Sequence, residues 1–434
     1  MKVLIVGSGG REHAIAKKVK ENSRVTEVFA LPGNGGMASV CTCVPIDATD
    51  LDGICAWVQK NPVDFAIIGP DDPLVLGCVD RLSALGIPCF GPNKKAAIIE
   101  GSKVFAKKLM KDNHIPTADY QSFDNPDKAL DYVKNSQPPL VIKADGLALG
   151  KGVIIAKTVE EALDAVKTIM LTKKFGHSGD KIVIEEFLEG PEVTVLAFTD
   201  GKTIKPMVSS MDHKTIGEDN TGPNTGGMGV IAPNPYYTDE IAKASMETIF
   251  LPTIKALNDQ GRTFKGCLYF GLMLTKTGPK VIEYNCRFGD PEAQAILPLL
   301  NTDLLEIMEA VACQKLDEMT IDWKDASSCC VVAASSGYPL KYETGYQISY
   351  PSALEENIFI SGASLDSQAG KAHKTASQSH LITTGGRVLS VTATKPTLPA
   401  AIKEAYSIME QINFHHKYCR SDIGKSALKA INPN

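Results

Sequence analysis

The sequence predicts an α/β protein of several domains that opens on a doubly wound parallel sheet, and three observations carry that expectation. At 434 residues the chain is too long for one hydrophobic core, so two to four domains are expected. Residues 2 to about 92 alternate short apolar strands with helical stretches, the pattern of a parallel sheet covered on both faces. Beyond residue 189 the pattern turns strand-rich, which marks a different architecture.

Strands are expected at 2–6, 27–31, 64–69 and 87–91, with a helix at 11–21. Ligands of such a sheet sit at the carboxyl ends of its strands. A helix follows at 102–113, with Ser102 as its cap, and His114-Ile115-Pro116 ends it. Residues 118–188 read as a compact α/β unit, with strands at 140–143, 152–157 and 181–185 and a helix at 159–170. Next come strands, a Gly/Asn/Thr-rich loop at 219–229, a long helix at 238–259 and a strand pair around 267–285. The last hundred residues hold short strands at 329–334 and 388–393 and a final helix near 399–412. The expected domains are therefore 1–117, 118–188, 189–322 and 323–434.

Composition narrows the function. The chain is 44% apolar and 22% charged with a formal net charge of -5, which disfavours nucleic acid as the main partner. It holds no run of about 18 apolar residues, so no membrane span is expected. The apolar run before Gly7 is too short for a signal peptide, and a cytoplasmic location is expected. The 11 cysteines contain no C-x-x-C, so zinc and thiol-redox motifs are unsupported and buried reduced thiols are expected.

Three segments carry chemistry. The first, Gly7-Ser8-Gly9-Gly10-Arg11-Glu12-His13, follows a strand and opens a helix. It misses the dinucleotide fingerprint, because Glu12 stands where the third glycine belongs. No carboxylate closes the second strand, so a nicotinamide enzyme is disfavoured. A helix N-terminus open to an anion and a plain tight turn both fit.

The second is 141–153, Val-Ile-Lys-Ala-Asp-Gly-Leu-Ala-Leu-Gly-Lys-Gly-Val. Only three residues separate Gly146 from Gly150, and Gly152 rather than Ser or Thr follows Lys151, so it is no Walker loop. It fits a β-hairpin lid over a triphosphate with Lys143 at the phosphates, or a surface hairpin. The third is 280–292. Strand alternation puts Glu283 and Asn285 on one face, a hard-oxygen pair suited to Mg²⁺ or else a solvated polar face. Arg287 continues that face if the strand extends, and could clamp a carboxylate or acyl phosphate. For His213, a substrate-side role and simple loop solvation are both open, and His415-His416 reads as surface.

Taken together, the chain resembles the ATP-grasp superfamily, and within it the phosphoribosylamine–glycine ligase family. The resemblance covers essentially all 434 residues. It rests on GSGGREHA (7–14), PGN (32–34), IGPDDPL (68–74), GSKVFAK (101–107), VIKADGLALGKGV (141–153), IEEFLEG (184–190), DHK (212–214), TGPNTGGMG (221–229) and EYNCRFGDPE (283–292). It implies an ATP-grasp fold with an N-terminal parallel-sheet domain, a small lid subdomain and a C-terminal α+β domain.

It also implies roles. ATP would lie on Lys103, Lys143 and the loop Gly150-Lys151-Gly152, with the backbone of Glu185, Glu186, Phe187 and Leu188 at the adenine and Glu192 at the ribose. Mg²⁺ or Mn²⁺ would lie on Glu283 and Asn285. Asp212, Lys214 and Arg287 would act in catalysis. His213, Asn224, Thr225, Gly226 and Gly227 would surround glycine together with Arg287, and Gly9, Gly10 and Asp71 would face 5-phosphoribosylamine. Many ATP-grasp enzymes carry a further acidic ligand on the preceding strand, and Tyr269-Phe270-Gly271-Leu272 has none. The upstream amidophosphoribosyltransferase would be a transient partner, and no fused downstream purine enzyme is expected within these residues.

Overall fold

The computed structural model describes residues 1–148, 152–366 and 381–431. The chain opens on a parallel sheet in the order β3-β2-β1-β4-β5, built from β1 (Lys2–Gly7), β2 (Glu27–Pro32), β3 (Thr42–Cys43), β4 (Phe65–Ile68) and β5 (Cys89–Phe90). Val3, Leu4, Ile5 and Val6 are all buried, because helices cover both faces of β1. Burying each such side chain favours the fold by about 1.5–3 kcal/mol.

The helix Lys103–Asp112 leads into a four-stranded antiparallel sheet, ordered β6-β9-β7-β8. Its strands are β6 (Tyr120–Phe123), β7 (Leu140–Ala144), β8 (Val153–Ala156) and β9 (Ile182–Glu186). As expected for a lid hairpin, β7 and β8 pair antiparallel, with Lys143 opposite Val153. A second antiparallel sheet follows, with β10 (Glu192–Thr199) and β11 (Ile204–Pro206). Strands β12 (Met211–Asp212) and β13 (Gly229–Ala232) leave it for the C-terminal domain, and β14 (Gly266–Thr275) and β15 (Gly278–Asn285) return to complete the order β11-β10-β14-β15. The long helix expected at 238–259 is present as Asp239–Ser245 and Leu251–Asp259, joined by a π-turn.

The C-terminal domain is built on β16 (Ser327–Ser335). A small sheet of β17 (Gln347–Ile348), β19 (Ala363–Leu365) and β20 (Leu381–Thr383) lies beside it. The larger sheet runs β12-β13-β16-β21-β18, with β18 (Ile358–Ile360), β21 (Arg387–Lys395) and a short edge strand β22 (Lys417–Tyr418) on β16. The helix Leu398–Met409 is not the last, because Lys425–Ile431 follows it. A helix that short gives too few apolar positions to show a period.

Two features of this architecture place the site. Leu4, Val6 and Ile68 of the first sheet share one packed core with Phe270 and Tyr284 of the central sheet, so the two abut. Strands β12 and β13 tie the 213–229 loop into the C-terminal sheet. All 11 cysteines are free. Cys78, Cys89, Cys267, Cys286, Cys329 and Cys330 are buried, whereas Cys313 is exposed and the rest are half-buried. Among the described residues no helix is long and apolar enough to cross a membrane.

Candidate active site

Glu283 lies at the centre of a cationic cleft. Tyr284 packs into the core against Phe270, so alternation along β15 turns Glu283 and Asn285 toward the cleft, as the sequence predicts. The strand also carries an irregularity that alternation does not show. Gly271 pairs with Glu283 but Leu272 pairs with Val281, leaving Ile282 as a bulge. The carbonyl of Ile282 is thereby free, and the Lys143 ammonium donates to it at 3.1 Å.

Three lysines converge on this region. Lys214 lies 3.4 Å from Glu283 Oε1 and 3.1 Å from Glu192 Oε2. Lys143 reaches across from β7, and Lys103 donates to the Gly146 carbonyl at 3.1 Å. Burial raises the pKa of Glu283, but Lys214, Lys143 and Lys103 outweigh it and hold the carboxyl down at about 2. Lys103 is lowered by burial, with Glu283 opposing. Three ammonium groups gathered in one cleft suit a polyphosphate.

The donor set also fits a divalent cation. Glu283 is ionised, and Asn285 spends an amide N–H on the Tyr284 carbonyl (2.9 Å), while its Oδ1 meets Arg287 Nη1 at 3.5 Å and can accept further contacts. Among the described residues no group of three or more His, Cys, Asp or Glu side chains is placed to hold a metal ion. The pair therefore suits a cation such as Mg²⁺ that takes its other ligands from phosphates and water.

Strand β9 carries a buried charge cluster of its own. The Glu185 side chain is buried between Lys143 (3.0 Å) and Lys107 (2.9 Å), and burial lowers Lys107 to about 8 despite that partner. The Glu186 N–H is taken by the Asp119 carbonyl (2.9 Å). Only after Glu186 does the chain leave the ladder, where Phe187 is exposed and Leu188 half-buried. Gly150 and Lys151 lie outside the described residues. At Gly152 an added Cβ would lie 2.7 Å from Ala148.

A second group of residues adjoins the first. Asp212 and Glu292 are both buried carboxyls. Burial and the charge of Glu292 push Asp212 well above the usual carboxylate range, and burial raises Glu292. Asp212 Oδ1 and Arg287 Nε are buried without a hydrogen-bond partner among the described residues. Buried polar atoms left unpaired cost stability, so both are candidates for ligand contacts. The strand ends at Asn285, so Arg287 does not continue the face of Glu283. Its Nη2 turns to Glu100 Oε1 (2.9 Å) and Asp71 Oδ2 (3.4 Å). Burial pushes Glu100 up to about 7, with Arg287 opposing.

The loop at 224–227 curls over Asp212. Gly227 has φ +112°, and a Cβ there would lie 2.7 Å from Asp212 Oδ1. Thr225 donates through both N (2.7 Å) and Oγ1 (2.8 Å) to the Lys214 carbonyl, fixing the loop to that lysine's backbone. Thr215 and Asn224 form an isolated bridge. His213 faces away from this cleft. Its Nδ1 meets the Gly229 carbonyl (3.0 Å) and its Nε2 accepts from the Gly424 N–H (3.1 Å), so neither ring nitrogen is left for substrate. Burial lowers it to about 4, and it is neutral.

The N-terminal loop is closed by protein groups. The Gly9 N–H donates to Glu12 Oε2 (2.6 Å), the Arg11 Nε to Glu12 Oε1 (2.5 Å) and the Arg11 N–H to Asp290 Oδ2 (3.3 Å). A Cβ at Gly69 would lie 2.1 Å from Glu12 Oε1, and at Gly10 2.3 Å from Gln294 Nε2. Gly9 and Gly10 therefore pack closely around internal side chains, with the Gly9 N–H held by Glu12. The Glu12 carboxylate accepts from the Gly9 N–H and the Arg11 guanidinium.

Comparison with known proteins agrees with this architecture. Family models match along the chain: "Phosphoribosylglycinamide synthetase, N domain" over residues 1–100, "ATP-grasp (A) domain" over 101–293 and "C domain" over 328–426. The chain belongs to the phosphoribosylglycinamide synthetase family. Relatives described as phosphoribosylamine–glycine ligase include one from Clostridium acetobutylicum, 44% identical, covering 98% of this chain and 100% of its own length. Another, from Escherichia coli K12, is 45% identical over 99% of each chain. Among solved structures, the Thermotoga maritima phosphoribosylamine–glycine ligase superposes with a TM-score of 0.85 at 32% identity, covering 98% of this chain and 100% of that one. A biotin carboxylase domain from Hydrogenobacter thermophilus, at 15% identity and TM-score 0.70, shares the fold.

Several members of the site were not singled out from sequence. Asp290, Glu292 and Arg387 stand beside the candidates in space, and Lys107 pairs with Glu185. The first two lie within EYNCRFGDPE, where a hydrophilic run just past the strand end is the available signal. Arg387 comes from the C-terminal domain, and nothing local marks it.

Proposed function

We propose that the protein joins glycine to the amine of 5-phosphoribosylamine, converting ATP to ADP and phosphate and yielding glycinamide ribonucleotide. The observation that carries this reading is the ionised Glu283 ringed by Lys214, Lys143 and Lys103, set beside the open polar atoms of Asp212 and Arg287. One half of the site suits a triphosphate, and the other a small zwitterion. Family membership supplies the substrates.

Glycine's carboxylate is a poor electrophile, so it first attacks the γ-phosphate, giving glycyl phosphate and ADP. Lys103 and Lys143 hold the phosphates, and Lys214 and Arg287 offset charge on the transferring group and the carboxylate. Glu283 and Asn285 would hold Mg²⁺ or Mn²⁺, which supplies charge neutralisation at the phosphates. The backbone of Glu185, Glu186, Phe187 and Leu188 meets adenine, Glu192 meets the ribose, and Gly150, Lys151 and Gly152 contact the triphosphate, with closure of the site keeping water from the acyl phosphate. The amine, held on the Asp71 side, then attacks the acyl carbon; the C–N bond forms, phosphate leaves, and the nitrogen loses a proton. Asp212 and the 224–227 loop orient the glycyl group. The lability of phosphoribosylamine makes transient contact with the enzyme that forms it part of the same proposal.

The test is ADP release with Mg-ATP and freshly generated phosphoribosylamine, with and without glycine. Turnover that requires both is expected. Turnover with bicarbonate replacing glycine, or ATP binding without turnover, overturns the assignment.

A further inference from the structure

The 213–229 segment carries Lys214 and the loop over Asp212, yet most of what holds it belongs to the C-terminal domain. Tyr338 Oη accepts from the Gly226 N–H (3.2 Å), and Tyr418 Oη donates to the Ile216 carbonyl (2.7 Å). Arg420, fully buried, donates to Thr215 O and Oγ1 (both 3.1 Å). A further anchor is Arg387, the first residue of β21. Its Nη1 donates to the carbonyls of Gly226 (2.8 Å), Gly227 (3.3 Å) and Asp290 (2.6 Å), and its Nη2 lies 3.5 Å from Asp290 Oδ1. Asp290 in turn accepts from Arg11 N (3.3 Å) and Gln294 Nε2 (2.8 Å), so it is fixed from the N-terminal side.

The geometry is specific to a guanidinium. A Cβ at Gly226 would sit 2.8 Å from Arg387 Cζ, so the glycine lies on the guanidinium plane while Nη1 reaches three carbonyls and Nη2 the Asp290 carboxylate. One residue further on, Gly227 lies against Asp212, whose Oδ1 is buried and unpartnered. A path therefore runs Arg387, Gly226-Gly227, Asp212. None of these contacts involves Lys103, Lys143 or strand β9.

We infer that Arg387 is a positioning residue for the ligation half of the site: it sets the 226–227 backbone against Asp290, and thereby the orientation of Asp212, so that the C-terminal domain governs glycine binding and leaves ATP binding alone. The inference rests on the ligase reading above. Arg387 need not touch either substrate, because its effect passes through the loop backbone, where displacements near 1 Å cost about a hundredfold in rate.

The experiment compares wild type, Arg387→Ala and Arg387→Lys in the full chain, measuring KM for glycine, kcat, and Mg-ADP affinity by calorimetry. Arg387→Ala is expected to raise the glycine KM at least about tenfold and to lower kcat, with Mg-ADP affinity within about twofold of wild type. Arg387→Lys keeps the charge but not the fork, so its glycine KM falls between the two. Added guanidinium at sub-denaturing concentration should restore part of the activity of Arg387→Ala. An unchanged glycine KM, or glycine and Mg-ADP affinities falling together, overturns the inference. If Arg387→Ala does not fold, Arg387→Lys decides the matter, and a wild-type glycine KM in that variant overturns it. A wild type that shows no glycine-dependent ADP release instead overturns the ligase reading, so the two failures are distinguishable.

Discussion

Two regions of this molecule invite the same reading from sequence and differ in structure. The loop at 7–13 and the cleft around Glu283 both gather glycines or cations at the ends of strands, where an anion is expected. In the loop, three donors are taken by side chains of the protein: Glu12 takes the Gly9 N–H and the Arg11 Nε–H, and Asp290 takes the Arg11 N–H. In the cleft, three lysines converge on Glu283, and Asp212 Oδ1 and Arg287 Nε nearby have no partner among the described residues. A helix N-terminus or a basic cluster becomes a binding site only where the protein has not already completed its hydrogen bonds.

The largest effect should come from emptying the open region. Glu283→Ala removes the carboxylate around which Lys214, Lys143 and Lys103 gather, and is expected to lower kcat/KM by about 3 kcal/mol or more, over a hundredfold. Thermal unfolding should show a folded protein, because the side chain lines the cleft and not the core. Activity near wild type would remove Glu283 from its role.

The closed region should respond in the opposite currency. Glu12→Ala strands the buried Arg11 guanidinium and the Gly9 N–H, and is expected to destabilise the fold by about 3 kcal/mol. The KM for ATP should stay within about twofold, since no ATP-side residue touches Glu12. Chemical denaturation and steady-state kinetics on one preparation separate the two outcomes. A large ATP effect with intact stability would break the comparison, by showing that this loop does bind nucleotide.

How much of this was legible follows the same division. The parallel sheet, the lid hairpin and the outward face of Glu283 and Asn285 follow from periodicity and from glycine placement, which act over a few residues. The bulge at Ile282, which frees a carbonyl for Lys143, depends on the partner strand, and alternation along β15 alone does not reveal it. The turn of Arg287 toward Glu100 and Asp71 depends on where the strand stops. Arg387 and Arg420 reach the 213–229 loop across more than 150 residues of chain, so no local pattern marks them. Glu12 was visible as the residue that spoils a fingerprint. That its own carboxylate accepts from the Gly9 N–H and the Arg11 guanidinium needed the packing of Gly7 and Gly69 around it.

The smallest predicted effect tests the boundary between the two kinds of region, because His213 lies between Asp212 and Lys214 in sequence but belongs with the closed group. Its ring is neutral, with Nδ1 toward the Gly229 carbonyl and Nε2 accepting from Gly424 N–H, and burial lowers it from 6.5 to about 4. A base lowered on folding is protonated first in the unfolded chain. Below pH 6.5 the unfolded state takes up a proton that the native state refuses, so stability falls as pH falls, until the native ring titrates near 4. The slope from this one group is at most about 1.4 kcal/mol per pH unit. His213→Gln can keep one donor and one acceptor but does not titrate, so urea-unfolding free energies at pH 7 and pH 5 should differ less than in wild type. The pH dependence of kcat should be the same in both proteins, because the ring has no nitrogen left for substrate. A kcat profile that shifts with His213→Gln would place the ring in the chemistry and move it to the open side of the comparison.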